Sequence, residues 1–275
     1  MSSADVLPVT AIVASRNEAH LLRRCLDALT FCDEIVVVDI ESTDETPAIA
    51  REFGARILPH PYVAIADEAR PEAIASARHD WVLLRDPDEV MPPSLRAQIV
   101  ELFRELDPAV GLITGPIRYY FAGRLLRGTA WGGVRTARML ARRDLIDFPT
   151  TVHGKLTRKP GSRDVDIPFT GDNAIEHYWS AGYRDVVEKH RRYLRLEGAA
   201  RADAGETTSM RRILAAPLPA FYDSFVRKRG YRDGVHGLLL SVMWSVYRAG
   251  TQVALLRELR RRREDSTSGP YHRDG

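Results

Sequence analysis

Three short apolar runs, each emptying into polar and acidic residues, constrain this chain more than any other feature. Val9 to Ala14 leads into Ser15-Arg16-Asn17-Glu18, Glu34-Ile35-Val36-Val37-Val38 ends at Asp39, and Trp81-Val82-Leu83-Leu84 passes through Arg85 into Asp86-Pro87-Asp88-Glu89. Runs that are apolar at successive positions read as strands buried on both faces, the pattern of a parallel sheet layered with helices. The intervening segments agree. Leu21, Leu22, Cys25, Leu26 and Leu29 recur at helical spacing, and Ser42-Thr43-Asp44-Glu45-Thr46-Pro47 opens a second helix that Gly54 stops. Strands alternating with helices give a doubly wound α/β sheet, in which ligands bind beyond the carboxyl ends of the strands. The chemistry is expected there.

The rest of the chain sets the organisation. A third short strand over Ala55 to Leu58 and a helical stretch around Ile74 to Arg78 complete the first part. After the acidic loop come a helix from Ser94 to Leu106, a strand from Val110 through Phe121, a strand and turn over Arg135 to Asp144, and a loop-rich section ending near His177. From Ala181 the pattern is helical, with breaks at Gly205 and Pro217-Leu218-Pro219. Residues 1–180 are therefore expected to form a catalytic domain, 181–263 a helical extension and 264–275 a disordered tail.

Charge and cysteine content narrow the function. Forty Lys and Arg against 37 Asp and Glu leave a net charge of +3, too balanced to mark a nucleic-acid binder. Two cysteines make no disulfide framework, and the N-terminal residues lack the charged and apolar regions of a signal peptide, so a cytoplasmic compartment is expected. Near the other end, Val235 to Tyr247 is almost continuously apolar and is followed by Arg248, Arg257 and Arg260 to Arg263. With Trp244 and Tyr247 as interfacial rings, that stretch suits a helix lying on an anionic membrane at its inner face. Packing of the same stripe on the catalytic domain is the other reading.

Asp86-Pro87-Asp88 carries the strongest chemical signal. Residues two apart on a straight strand point to opposite faces, so the chain must turn at Pro87 for both carboxylates to serve one cation. Hard oxygen ligands suit Mg²⁺ or Mn²⁺ carrying a diphosphate. In isolation the motif is weak and reads first as a solvated turn capping the next helix. Asp39 and Asp44 likewise have two readings, a turn or helix cap on one side and, for Asp39, a carboxylate accepting from a nucleobase ring N–H on the other.

As an ordered set, Ala14-Ser15-Arg16-Asn17-Glu18, Val36-Val37-Val38-Asp39 with Ser42-Thr43-Asp44, and Asp80-Trp81-Val82-Leu83 leading to Asp86-Pro87-Asp88-Glu89 resemble the A-type glycosyltransferases of family 2. Val152-His153, His177-Tyr178 and Gly230-Tyr231-Arg232-Asp233-Gly234 are similar to the branch of lipopolysaccharide-core β-glucosyltransferases. The resemblance implies an A-type fold, a doubly wound and mostly parallel sheet with a C-terminal helical extension, and non-processive transfer of one sugar with inversion. It implies that Ala14, Asn17, Glu18, Asp39, Asp44, Arg70, Arg85 and Asp86 surround a nucleotide sugar, UDP-linked, and that Asp88 with Asp86 holds Mg²⁺ or Mn²⁺. Asp86 also counts among the catalytic residues. The implied partners are a nucleotide-sugar donor and a glycan or lipid-linked acceptor. Ile40, Glu41 and Arg85 replace small residues of that pattern, Arg70-Pro71 stands for a basic residue followed by Asn, and Gly154 stands where the branch has Glu. Arg85 is read either as a diphosphate clamp or as a salt bridge holding the acidic loop. With that Glu missing, His153 is the expected base because imidazole titrates nearest neutrality, and Asp147 and Glu176 are its alternatives. A catalytically silent scaffold fits the same departures. A sugar nucleotidyltransferase lacks support because no Gly-rich phosphate loop follows the first strand, and the absence of Gly-x-Gly-x-x-Gly argues against a dehydrogenase.

Overall fold

Side-chain alternation explains why the first strands are apolar throughout. In β1 (Leu7–Ser15), Val9, Ala11 and Val13 join an apolar cluster with Leu22, Cys25 and Leu26 of α1 (Ala19–Asp27), whereas Ile12 and Ala14 join a second cluster. β2 (Cys32–Ile40) divides in the same way, with Val37 in the first cluster and Val36 and Val38 in the second. Successive residues on a strand point to opposite faces, so a sheet covered on both sides needs apolar residues at every position. Ile49 of α2 (Thr46–Glu52) covers the first face, and Ala73 and Ile74 of α3 (Arg70–Ala75) cover the other. This computed structural model describes residues 6–148 and 156–267.

β3 (Arg56–His60) and β4 (Trp81–Arg85) complete a parallel set in the order β3-β2-β1-β4. The chain winds outward from β1 to β3 and then returns to the far side of β1, so the winding reverses between β1 and β4. Such a switch point leaves a crevice beyond the carboxyl ends of the two strands. After β5 (Glu89–Val90) and α4 (Pro93–Arg104), whose Leu95 and Ile99 seal the first face, the sheet becomes mixed. β6 (Val110–Phe121) is followed by β7 (Arg124–Leu125) and by β8 (Arg135–Arg142), and β8 runs antiparallel to both β4 and β6. β9 (Ile146–Asp147) and β10 (Thr157–Arg158) form a small ribbon, and β11 (Arg163–Asp166) lies parallel to β6. β12 (Ile175–Ser180) runs antiparallel to β5.

Two elements depart from the sequence reading. The helix expected around Ile74 to Arg78 instead spans Arg70–Ala75, because Pro71 sits in its first turn, where a missing N–H costs nothing. Residues 175–180, read as the end of a loop section and the approach to a helix, form β12. His153 and Gly154 lie outside the described residues.

Contacts divide the chain into two compact units, residues 1–120 with 134–179 and residues 121–133 with 180–275. In the second unit α5 (Tyr183–Asp203) packs along α8 (Gly234–Thr267), with α6 (Met210–Ala215) and α7 (Pro217–Tyr222) between them in sequence. The α5–α8 crossing is close at Gly198, where a Cβ would lie 2.7 Å from the Ala254 carbonyl oxygen. Trp244 and Tyr247, expected as membrane-interface rings, pack inward instead: Trp244 meets Trp131 edge-on at 5.3 Å, and Tyr247 stacks on His190 at 4.4 Å. Two of the arginines expected to form a basic tail are paired within the unit, Arg261 with Glu258 and Asp265, and Arg262 with Glu258 and Asp203. α8 continues to Thr267, past the point where the tail was expected to begin. Among the described residues no helix is long and apolar enough to cross a membrane.

Candidate functional site

The acidic loop at the end of β4 is a tight turn. The Glu89 N–H donates to the Asp86 carbonyl at 3.0 Å, and Pro87 occupies the second position, where its fixed φ suits the turn. The chain thus turns where the sequence requires it. From this turn the Asp88 carboxylate reaches His177 of β12, with Oδ2 at 3.2 Å from Nε2. Its other oxygen, Oδ1, is buried and has no hydrogen-bond partner. Pairing of β5 with β12 sets this geometry: His177 lies opposite Glu89, and the Tyr178 N–H donates to the Asp88 carbonyl at 2.8 Å. Burial alone would lower the His177 pKa, but the hydrogen bond and charge of Asp88, with Glu89 and Asp86 behind it, hold the imidazole above its ordinary value.

Asp86 has a different environment. Desolvation by the groups around it pushes its carboxyl up to about 6 despite the Arg70 guanidinium, and the carboxylates of Glu89 and Asp88 add to the rise, although the side chain stays 43% exposed toward the crevice. Arg70 donates to Asp86 Oδ1 at 2.5 Å and also grips Asp67. Arg85 points into the protein with its side chain 3 % exposed, donating to Glu89 Oε2 at 2.8 Å and to the Arg138 carbonyl at 3.1 Å. That arrangement matches the salt bridge holding the loop rather than the diphosphate clamp. Beside Arg70 and Asp86 a cavity of about 210 Å³ opens, walled by Leu84, Met139, Ala141 and Phe148.

The loop after β1 completes the crevice. Asn17 adopts a left-handed backbone, φ 56°, which asparagine tolerates better than most residues. Its N–H donates to Ser42 Oγ at 3.1 Å, and its side-chain oxygen accepts from the Thr43 N–H at 2.7 Å. Asp44 receives the Ala19 N–H at 3.1 Å and the Thr46 N–H at 2.9 Å, one on each oxygen, so it fastens the starts of α1 and α2 together. Glu18 donates its N–H to Thr46 Oγ1 at 3.2 Å. Ala14 is buried in the apolar cluster on the α3 face. Asp39 lies level with Ser15 in the β1–β2 register and accepts the Ser42 N–H on Oδ1 at 3.2 Å.

The model of glycosyl transferase family 2 matches residues 10–165, more than half of the chain, including Asn17, Asp39, Asp44, Asp86 and Asp88 but not His177. The chain belongs to that family. An uncharacterized glycosyltransferase of Rickettsia bellii is 24% identical over 265 residues, covering 94% of this chain and 89% of its own. The lipopolysaccharide core biosynthesis glycosyltransferase LpsC of Rhizobium meliloti is 24% identical over 247 residues, covering 88% and 89%. A mannosyltransferase of Pyrobaculum calidifontis, solved with GDP-Man and Mn²⁺, superposes with a TM-score of 0.52 at 19% identity, covering 93% of this chain and 90% of that one. The A-type α/β fold with a C-terminal helical extension is therefore the observed architecture, and the chain is a family 2 glycosyltransferase.

For such an enzyme the donor set at Asp88 is informative. Among the described residues no three His, Cys, Asp or Glu side chains converge to hold a metal ion unaided. An ion at the unpartnered Asp88 oxygen would take most of its ligands from water and from a bound diphosphate, the habit of Mg²⁺ and Mn²⁺ at phosphate sites. The residues present fit that arrangement. His177 is the member that sequence reasoning did not assign a role. It is 89 positions from Asp88, and only the β5–β12 pairing joins them. Of the alternative bases, Glu176 accepts the Tyr178 hydroxyl at 2.8 Å and, next to His177 on β12, points to the opposite face from Asp88. Asp147 lies on the β9–β10 ribbon, 3.9 Å from the Lys159 ammonium.

Proposed function

We propose that this family 2 glycosyltransferase moves a single sugar, with inversion, from a UDP-linked donor to a hydroxyl of a cell-envelope glycan or glycolipid. The observation that carries the reading is the buried, unpartnered Oδ1 of Asp88, held by His177 on a turn at the switch point between β1 and β4. A buried polar atom without a partner is costly unless a ligand completes it. Mg²⁺ or Mn²⁺ bound there would neutralise the charge that develops on the departing nucleoside diphosphate. Asp88 supplies the protein ligand, and His177 fixes the rotamer that presents it. Asp86, oriented by Arg70, faces the sugar and ribose end of the donor.

Asp39 is the reader of the base in this account. One of its oxygens is taken by the Ser42 N–H, and the other is left to accept from the imide N–H of uracil, which adenine lacks. The similarity to LpsC along nearly the full chain supports an envelope acceptor. Incubation with a panel of nucleotide sugars, with and without Mn²⁺, tests the proposal through release of free nucleoside diphosphate. UDP-sugars should be turned over slowly by water in a Mn²⁺-dependent manner, and ADP-sugars should not. Asp39→Ala should erode that preference. Release from no donor, or equal release from ADP- and UDP-linked sugars, would count against it.

A further inference from the structure

The helical unit exposes an apolar face that its own packing leaves uncovered. Along the first half of α8, Val235, Leu238, Leu239, Val242 and Val246 recur at helical spacing and are 42–69% exposed. The opposite side of the same turns is buried, through Leu240, Ser241 and Ser245. α6 and α7 lie against α8 and bury no residue of their own; they add Leu214, Leu218 and Tyr222, at 74%, 77% and 55% exposure. Scattered apolar residues on a surface are ordinary, but eight exposed apolar side chains gathered on three helices in mutual contact mark an interaction site.

The charges around this face choose its partner. Between Ser209 and Asp233 the chain carries six basic residues, Arg211, Arg212, Arg227, Lys228, Arg229 and Arg232, against two acidic ones. Asp223 is paired with Arg227 and Lys228, and Asp233, held by the N–H groups of Arg127 and Gly128 at 2.8 Å each, sets a single negative charge against the four remaining arginines. At the first turn of α8, Arg124, Arg127, Arg232 and His236, together with Asp233, line a cleft of about 390 Å³. An apolar face accompanied by an excess of arginines matches the boundary between acyl chains and anionic headgroups.

We infer that α6, α7 and the first half of α8 form a membrane-docking face for a bilayer containing anionic phospholipid. The apolar stripe enters the headgroup boundary while the arginines meet lipid phosphates. This places the contact on residues 211–246 rather than on the arginines from Arg257 onward. The face shares no residue with the site at Asp88, and vesicle binding is read without a sugar donor, so failure of one leaves the other standing.

Flotation of the full chain with phosphatidylcholine vesicles, and with the same vesicles carrying phosphatidylglycerol, provides the test. Binding is expected only to the anionic vesicles and should weaken with salt. Leu214→Glu with Leu218→Glu should lower the bound fraction about tenfold, each leucine contributing a buried side chain at the interface. Both positions are exposed, and circular dichroism should report an unchanged helix content. Arg211→Glu with Arg212→Glu should also weaken binding, whereas Arg260→Glu with Arg263→Glu should leave it unchanged. A chain that stays with the lipid-free fraction at low salt overturns the inference. So does binding lost in the Arg260 and Arg263 variant but kept in the Leu214 and Leu218 variant, or a dimer in sedimentation that the leucine variant dissociates.

Discussion

Asp44 and Arg85 both have protein partners on which the local fold depends. Both Asp44 oxygens are occupied by backbone N–H groups at the starts of two helices. Asp44→Ala should therefore lower stability by about 1 kcal/mol, as loss of a helix cap does, and leave UDP affinity unchanged. Thermal denaturation and calorimetry read the two effects separately. Arg85 is paired with Glu89 inside the protein, with side chains 3% and 12% exposed. Arg85→Met leaves the buried Glu89 carboxylate paired, among the described residues, with only the His177 imidazole, 3.6 Å away, and should cost about 3 kcal/mol, whereas Arg85→Met with Glu89→Leu should recover most of it, because breaking a buried pair costs more than replacing it. A double variant no more stable than the single one would contradict the pairing. The Asp-Pro-Asp-Glu turn was legible because its chemistry is local in sequence. The Asp88–His177 contact was not, since it rests on strand pairing between distant segments.

At the scale of elements, one carboxylate joins three strands and a loop. Glu34 of β2 accepts from the Thr10 hydroxyl of β1 at 2.7 Å, from Arg56 of β3 at 3.1 Å and from the Arg78 N–H ahead of β4 at 2.7 Å. Desolvation opposes its ionisation, but the Arg78, Thr10 and Arg56 donors outweigh it and hold the pKa below its ordinary value. A carboxylate depressed in the folded state contributes stability above its unfolded pKa, near 4.3, and that contribution disappears as pH falls through the folded value. Glu34→Gln should thus lower the melting temperature at pH 7 and shrink the difference from the parent below about pH 4. A penalty that is the same at both pH values would contradict the network's charge. The parallel strands were readable because burial on both faces leaves uninterrupted apolar runs. β12 was not, because its Ile-Glu-His-Tyr-Trp-Ser mixes polar and aromatic residues that only its neighbours explain.

For the whole molecule, fold class followed from the alternation of strands and helices, while the surface of the helical unit did not follow from hydropathy. An apolar run names a helix without naming which side is covered, and the aromatic residues Trp244 and Tyr247 turned inward to Trp131 and His190. Gly198 fixes the α5–α8 crossing, so Gly198→Val should destabilise the helical unit by about 1–3 kcal/mol, read by denaturant unfolding. In the other unit, a divalent ion at Asp88 is proposed to hold the nucleoside diphosphate. Calorimetric titration of UDP into the full chain, with Mn²⁺ and with chelator, tests it most directly, alongside the Asp88→Asn variant. UDP binding should require Mn²⁺ and should weaken by about 10- to 100-fold or more in Asp88→Asn. UDP binding of equal affinity in chelator, or retained in full by the Asp88→Asn variant, would contradict it.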